Sequence, residues 1–453
     1  MEKITVDEIR KAVGGELCGV SPETEITAVC SDTRKIEAGC LFIAIKGERF
    51  DGHDFAASAI EHGAAAVLSE KKLAGIPSIV CESTRKALLD LSGYYRRTLP
   101  VKVVGITGSV GKTTTKELTA LAVSSAFKTL KTEGNLNNEI GLPTTLFRLD
   151  NSCEAAVIEM GMSGFGEIER LSKAANPDVC LITNIGLCHL EQLGSQDNIL
   201  KAKMEILAGA KPNAPLIVNG DDERLFPLTR SVSDRKVISF GIENKSCDYV
   251  AENIVQKEDK LLFDIVTKGK VIPCELPCIG KHYVLDALAA VAAAAELGAD
   301  IEKAAAALAS YVPAGMRQKI EKIGGFTAVI DCYNASPTSM KASIDALCDM
   351  KCTGRRGAVL ADMLELGERS PELHAEIGRY AAEKKLDYIA CYGKMAKYIA
   401  AAADEAGLHS GSTDDPAMLA EWLKAKISDG DTVLFKGSRG MKLENIIDEL
   451  RKG

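Results

Sequence analysis

The chain has 453 residues, and at roughly 100–200 residues per domain that length argues for about three domains. Hydrophobic residues make up 46% and charged residues 26%, an ordinary globular balance that excludes wholesale disorder, a fibre and a polytopic membrane protein. Lys and Arg total 55 against 63 Asp and Glu, a net charge of −8, so nucleic acid is not an expected partner, while local phosphate binding stays open.

The start, Met1-Glu2-Lys3-Ile4-Thr5-Val6-Asp7-Glu8, carries charges where a secretory signal needs an apolar core, and a cytoplasmic location is expected. No membrane span is expected either, because the longest uniform apolar run, at 287–295, is about half the length a bilayer requires. The fourteen cysteines are scattered, the pattern of reduced thiols used as small core hydrophobes. Cys274 and Cys278 with His282, and Cys348 with Cys352, are the tightest groups. Pro277 and Gly280 interrupt any helix that would align the first set, so partly buried thiols are expected there rather than zinc.

Along the chain, apolar β-rich runs alternate with alanine-rich helical stretches, the pattern of an α/β protein with mainly parallel strands. A strand at 101–106 leads into a glycine-rich turn and a helix beginning around Thr113. Further strands are expected at 155–158, 179–183, 216–218, 327–330, 358–360, 388–391 and 432–435, with one long helix at 284–308. Leu99-Pro100 and Tyr311-Val312-Pro313-Ala314-Gly315 break the pattern and place domain boundaries near 98 and 313, giving units 1–98, 99–313 and 314–453.

The strongest motif is Gly105-Ile106-Thr107-Gly108-Ser109-Val110-Gly111-Lys112-Thr113-Thr114. Backbone N–H groups at a helix start can surround a triphosphate, the glycines permit close approach, Lys112 neutralises charge, and Thr113 offers a hydroxyl to Mg²⁺. Ile106 stands where the strict P-loop pattern has its first glycine. Such a loop needs an acid at the end of a neighbouring strand to hold the metal, and Glu159 ends the apolar run at 155–158. His189 follows the strand at 179–183 on a loop at the same carboxyl edge, where open α/β sheets bind ligands.

These residues resemble the ATP-dependent Mur ligases of peptidoglycan synthesis, over essentially the entire chain. The form Thr107-Gly108-Ser109-Val110-Gly111-Lys112-Thr113-Thr114 is that of the family, and Gly134-Asn135-Leu136-Asn137-Asn138-Glu139-Ile140-Gly141-Leu142-Pro143 is similar to a second family motif. The motifs Asp331-Cys332-Tyr333-Asn334-Ala335-Ser336-Pro337, Asp362-Met363-Leu364-Glu365-Leu366-Gly367 and Lys436-Gly437-Ser438-Arg439-Gly440 point to the branch that adds D-Ala-D-Ala. The resemblance implies three domains: a small α/β unit for UDP, a central P-loop ATPase-like unit with a mostly parallel sheet, and a Rossmann-like C-terminal unit. It implies ATP and Mg²⁺ as cofactors, UDP-MurNAc-tripeptide and D-Ala-D-Ala as substrates, an acyl phosphate as intermediate, and a monomer.

At residue level the resemblance implies ATP contacts from Gly108, Ser109, Val110, Gly111, Lys112, Thr113, Thr114, His282, Arg317 and Asp331. Metal ligands would be Thr113, Glu159, His189 and a carbamylated Lys203; Lys112, Glu159, His189 and Lys203 are the implied catalytic set. Substrate contacts would come from Ser31, Arg34, Lys46, Gly47, Asp51 and His53 within 31–55, from Asn135, Asn137 and Asn138, and from Asn334, Asp362, Glu365 and Arg439. Turn and capping roles suit Asn334 and Asp362 as well. The chain departs from the family where His282-Tyr283-Val284-Leu285-Asp286 puts Tyr283 and Asp286 in place of two amides near adenine, and where Ala361 and Ser336 replace a glycine and an asparagine. The competing readings are another amino-acid-adding ligase of the superfamily, a P-loop nucleotide-binding regulator, whose guanine motif the text Asn244-Lys245-Ser246-Cys247-Asp248 misses by one residue, and a catalytically dead sugar-nucleotide binder.

Overall fold

The computed structural model describes every residue except Glu48, Arg49, Ala314 and Gly453, so part of the 41–55 stretch and the middle of the second break lie outside the described residues. Thr5 and Glu8 form a reciprocal cap that starts the first helix, Val6–Val13, as a Thr-x-x-Glu sequence should. A five-stranded sheet follows in the order Glu16–Cys18, Ser78–Val80, Ala66–Ser69, Cys40–Ile43, Ala28–Cys30, parallel except at its first pair. The helix Thr84–Thr98, capped by Ser83, packs on the helix Glu167–Ala175 of the next unit. One buried cluster therefore runs without a break from Ile4 and Ile9 through Leu91 and Tyr95 to Leu146, Leu171 and Ile206. Arg96 staples the seam. Its buried guanidinium donates to the carbonyls of Ala175, Leu99 and Val101 at 3.1, 3.2 and 2.7 Å.

The central sheet has nine strands, in the order Lys270–Leu276, Leu261–Thr267, Tyr249–Gln256, Val237–Gly241, Leu216–Asn219, Val179–Ile182, Lys102–Thr107, Ala155–Glu159, Thr129–Lys131. The strands Val179–Ile182 and Ala155–Glu159 are buried throughout, as continuous apolar runs are when helices cover both faces of a parallel sheet. Strand order reverses around Lys102–Thr107, whose neighbours are Ala155–Glu159 and Val179–Ile182, so three carboxyl ends meet at the crevice where such sheets take ligands. The helices Lys112–Ser124 and His282–Leu297 pack together over one face, the second contributing a small-residue surface of buried alanines at 287, 289, 290 and 292–294.

Two corrections arise here. The long helix expected over 284–308 is two helices: the first ends at Leu297 with Gly298 in the left-handed region (φ 101°), and Asp300 caps a second, Ile301–Ala307. The meander at 249–276 is antiparallel and was not expected. The alternating burial of Leu261–Thr267 is its period-2 signature.

The last sheet has six strands, ordered Lys319–Ile323, Phe326–Asp331, Thr432–Lys436, Arg356–Ala361, Tyr388–Tyr392, Ser410–Thr413, parallel except for the first pair. Helices line both faces, including Pro337–Asp349, which Ser336 caps. The central strands expected from sequence are all present here. All fourteen cysteines are free, and Cys274 and Cys278 are buried. Among the described residues no helix is long and apolar enough to cross a membrane.

Candidate active site

The phosphate loop leaves the strand Lys102–Thr107 and closes at Gly111, which caps the helix Lys112–Ser124 at φ 84°. Two of its glycines are sterically required. A Cβ on Gly108 would lie 1.8 Å from Thr183 Oγ1, and one on Gly111 would lie 2.8 Å from Asp286 Oδ1. The next strand end clamps the loop: Thr183 Oγ1 donates to the Val110 carbonyl at 2.6 Å, Asn184 Nδ2 donates to it at 3.0 Å, and Val110 N–H donates to Asn184 Oδ1 at 2.9 Å. The Lys112 ammonium folds back onto the carbonyls of Gly108 and Ser109 at 2.7 and 3.2 Å, inside the cradle where phosphate oxygens would sit.

Glu159 ends its strand with a buried carboxylate. Its Oε1 accepts from Asn137 Nδ2 at 2.8 Å and from Thr113 Oγ1 at 3.2 Å, while Oε2 is buried with no hydrogen-bond partner among the described residues. Asn138 acts locally, accepting from the N–H groups of Ile140 and Gly141 and so starting the helix Gly141–Leu146.

The third unit completes the site from the opposite side. Arg317 lies over the Tyr333 ring at 3.9 Å and donates to Thr113 Oγ1 at 3.0 Å. Asp331 accepts from Lys436 Nζ at 2.7 Å and from Ser343 Oγ at 2.6 Å. Burial alone would raise the Asp331 carboxyl, but Lys436 and Ser343 outweigh it and hold the group below its usual range. Between the two edges lies a cavity of about 540 Å³. It is lined by the loop from Ser109 to Thr114, by Asn135, Asn137 and Asn138, by Glu159, His189 and His282, and by Arg317, Asp331 and Asn334 of the third unit.

Of the remaining expected residues, His189 and Asn334 line this cavity, while Lys203, Asp362, Glu365 and Arg439 do not. Lys203, on the helix Gln196–Met204, is 1% exposed; burial first, then the nearby Lys112 charge, push its ammonium far below the ordinary lysine range. His189, at φ 59°, sets Nδ1 2.6 Å from Glu365 Oε2, off the direction of a hydrogen bond. That contact leads the causes holding Glu365 below its usual value. Asp362 is a cap, its Oδ1 accepting from Met395 and Ala396 N–H at 3.0 and 2.7 Å. Arg439 pairs with Glu444 at 2.8 Å. Asn334 Oδ1 accepts from the next residue's N–H at 2.9 Å.

The set expected to hold the UDP-sugar end lies in the first unit and lines no part of this cavity. Arg34 pairs with Asp32 at 2.7 Å, and Ser31 stands exposed beside them. Lys46 and Asp51 form an antiparallel backbone bridge, and Gly47 N–H donates to the Phe50 carbonyl at 2.9 Å. The His53 ring is buried, with Nδ1 2.5 Å from Asp51 Oδ1 and Nε2 accepting from Glu70 N–H at 2.9 Å, so both nitrogens are used inside the domain.

The replaced amides also have defined surroundings. Tyr283 is buried between His282 and Tyr311, ring centroids at 4.4 and 6.2 Å. Asp286 accepts from Thr115 Oγ1 at 2.7 Å, and burial pushes its carboxyl up to about 7. Burial likewise pushes the His282 imidazole down to about 4. Sequence reading missed the Thr183–Asn184 clamp, Lys436 as the partner of Asp331, and the buried Lys116, whose Nζ stands 3.8 Å from Glu159 Oε2. The last had a signal, since four residues after Lys112 it must share that helix face.

Family models match in three stretches: the Mur ligase family catalytic domain at 25–101, the Mur ligase middle domain at 106–294 and the Mur ligase glutamate ligase domain at 316–439. A UDP-N-acetylmuramoyl-tripeptide–D-alanyl-D-alanine ligase of Bacillus subtilis is 40% identical, with 99% of each chain covered. Its counterpart in Escherichia coli is 35% identical across 100% of this chain and 99% of its own. The solved structure of MurF from Acinetobacter baumannii superposes with a TM-score of 0.92 at 33% identity, covering 100% of both chains.

Proposed function

The chain belongs to the Mur ligase family, and from that premise we infer that it is the ATP-dependent ligase joining D-alanyl-D-alanine to UDP-N-acetylmuramoyl-tripeptide in peptidoglycan synthesis. Relatives bearing that name match it over 99% or more of its length. The observation that carries the reading is the cavity walled by a phosphate loop on one side and by Arg317, Asp331 and Asn334 on the other. A ligase that must activate one substrate and admit a second needs such a two-sided chamber, because positioning and charge neutralisation supply most of the catalysis in phosphoryl transfer.

In this reading the loop N–H groups and Lys112 hold the triphosphate, Lys112 turning from its own carbonyls to the phosphates. Arg317 adds positive charge from the third unit, so charge stabilisation is complete only when the units are closed. Phosphoryl transfer to the tripeptide carboxylate gives an acyl phosphate; attack by the dipeptide amine forms the amide and releases phosphate. The donor set fits Mg²⁺. Thr113 Oγ1 and Glu159 offer hard oxygens, and the free Oε2 of Glu159 is a buried acceptor of the kind a cation satisfies. When bound, the ion would supply charge neutralisation on the phosphates.

Lys203 is suited to carbamylation because burial disfavours its protonated form, and the unprotonated amine is the nucleophile. Its nitrogen adds to the carbon of CO₂ and loses a proton, leaving a carboxylate-like group that with His189 would hold a second ion. Ser31, Arg34, Lys46, Gly47 and Asp51 are assigned to the UDP-sugar end, with His53 supporting Asp51 from below. Asn135, Asn137 and Asn138 would shape the approach of the tripeptide carboxylate. Asn334, Glu365 and Arg439 are assigned to the dipeptide, with Asp362 fixing the backbone around them. The units 1–98, 99–313 and 314–453 would then divide the work as UDP, ATP and dipeptide binding, in a cytoplasmic monomer.

The test is phosphate release from ATP by the purified chain with UDP-MurNAc-tripeptide, with and without D-Ala-D-Ala. Release that requires the dipeptide supports the assignment. Dependence on a single amino acid, or release indifferent to the dipeptide, overturns it.

A further inference from the structure

Lys116 lies one helical turn beyond Lys112 and Thr113 and faces the same strand edge. It is wholly buried. Its Nζ stands 3.0 Å from Glu117 Oε1 and 3.8 Å from Glu159 Oε2, yet neither Nζ nor Glu159 Oε2 has a hydrogen-bond partner among the described residues. The other Glu117 oxygen is held by Lys131, on the strand beside Ala155–Glu159. A buried ammonium is costly unless it is paired. Pairing with Glu117 accounts for part of this arrangement, but Glu117 already has a second cation in Lys131. What is left over is the positive charge beside the one uncommitted oxygen of Glu159, whose other oxygen is taken by Asn137 and Thr113.

We propose that Lys116 is a positioning residue that makes divalent-cation binding at Glu159 conditional on the nucleotide. The inference rests on reading Glu159 as a metal ligand. Without nucleotide, Lys116 is the resident counter-ion of Glu159, and an arriving cation meets a like charge within contact distance of its ligand. The phosphates of a bound nucleotide supply the negative charge that offsets this repulsion, so cation and nucleotide enter together. Lys116 also holds the carboxylate in place while the site waits. Neither Lys112 nor Arg317 serves this purpose, since Lys112 faces the loop carbonyls and Arg317 reaches Thr113 from the opposite unit.

The test uses Mn²⁺ as the probe, titrated into the full-length chain and followed by the electron paramagnetic resonance of the free ion, with and without ADP at one fixed pH. Wild type should bind Mn²⁺ weakly alone and more tightly with ADP. Lys116→Met should tighten ADP-free binding by roughly tenfold or more, because a buried positive charge 3.8 Å from the Glu159 oxygen strongly repels a cation bound there, and should shrink the gain that ADP provides. Lys116→Arg should behave as wild type. Lys116→Gln, neutral but polar, gives the same comparison if the Met variant does not fold. A structural defect would weaken binding, so equal or weaker ADP-free affinity in a folded neutral variant overturns the proposal, as does wild-type binding indifferent to ADP. Glu159→Gln is the separate control: if it leaves Mn²⁺ binding with ADP intact, the assignment of Glu159 as ligand fails first.

Discussion

Lys203 ties stability to catalysis in a way that can be measured. Its amine is buried, and burial together with the Lys112 charge drives its protonation far below the ordinary lysine value of 10.5. An unfolded chain takes up a proton at this side chain that the folded chain refuses. By linkage, stability rises with pH wherever the unfolded state binds more protons, so the penalty is present below the unfolded lysine value and disappears as pH rises above it. In the window where the folded amine is neutral the slope contributed by this group is up to about 1.4 kcal/mol per pH unit. Lys203→Met keeps the length and apolar stem but has nothing to protonate. In CO₂-free buffer near neutral pH it should therefore be the more stable protein, because it has no proton to give up on folding. The margin should narrow as pH rises.

The same variant should make no detectable ligation product, because no carbamate can form. Lys203→Ala should likewise be inactive and regain part of its activity with added short-chain carboxylates, while Lys203→Met, with the space filled, should not. Urea unfolding between about pH 7 and 9, run beside the phosphate-release assay, checks both halves. A Lys203→Met protein destabilised by more than about 1 kcal/mol would refute the reasoning, since it would mean that the folded amine is charged and paired. No carboxylate rescue of Lys203→Ala would weigh against the carbamate.

Arg317→Ala should lower kcat by about a hundredfold with a smaller change in the KM for ATP, as expected when a donor acts on developing charge; steady-state kinetics separates the two. Asp286→Asn keeps the acceptor for Thr115 but removes a carboxyl pushed up to about 7. Its folded-state value is raised above the ordinary 3.8, so the folded wild type holds an extra proton between those limits and loses stability as pH rises through them, whereas the variant is flat across that window. Above the upper limit the wild-type carboxylate forms beside Gly111, so wild-type ADP affinity should fall as pH rises from about 6 to 8 and the variant's should not; calorimetric titration decides. Arg96→Met should cost about 3 kcal/mol by leaving carbonyls of Leu99, Val101 and Ala175 unpaired in a buried seam, and scanning calorimetry should show the first two units melting together.

Much of the site was legible because its chemistry is local in sequence. The loop from Gly108 to Thr114 is read from adjacent residues, and Glu159 and His189 follow because one ends a plainly apolar strand and the other lies on the loop after such a strand. Those strands were readable for the same reason, being buried on both faces. The meander at 249–276 was harder: its strands are half exposed, and Asn253 at φ 51° beside the register shift between Glu252 and Val255 interrupts their alternation. The helix expected at 284–308 failed on a single glycine, since alanine on both sides hides the break while Gly298 reverses the backbone. Partnerships between distant residues were not legible at all. Nothing in the spelling of Asp362 separates a dipeptide ligand from a helix cap, and His53 sits in a family-like stretch while both its nitrogens serve the domain's own interior.

The location of the seams bears on how such a chamber can work. Arg96, Tyr95 and the helix Thr84–Thr98 are buried against the central unit, and a single apolar cluster crosses that boundary. The third unit meets the central one over a smaller apolar contact, where Ile279 and Leu187 join its cluster, and through polar contacts that include Arg317 with Thr113, His189 with Glu365, and Lys351 with Glu258. Breaking an apolar seam exposes core, whereas exposed ion pairs exchange for water at a cost of about 0–1 kcal/mol each. On this division the first two units would move as one body and the third would part from them. That division suits the order of events: the tripeptide and ATP would be aligned on the rigid pair, and the unit carrying Arg317 would complete the charge stabilisation only when it closes over them.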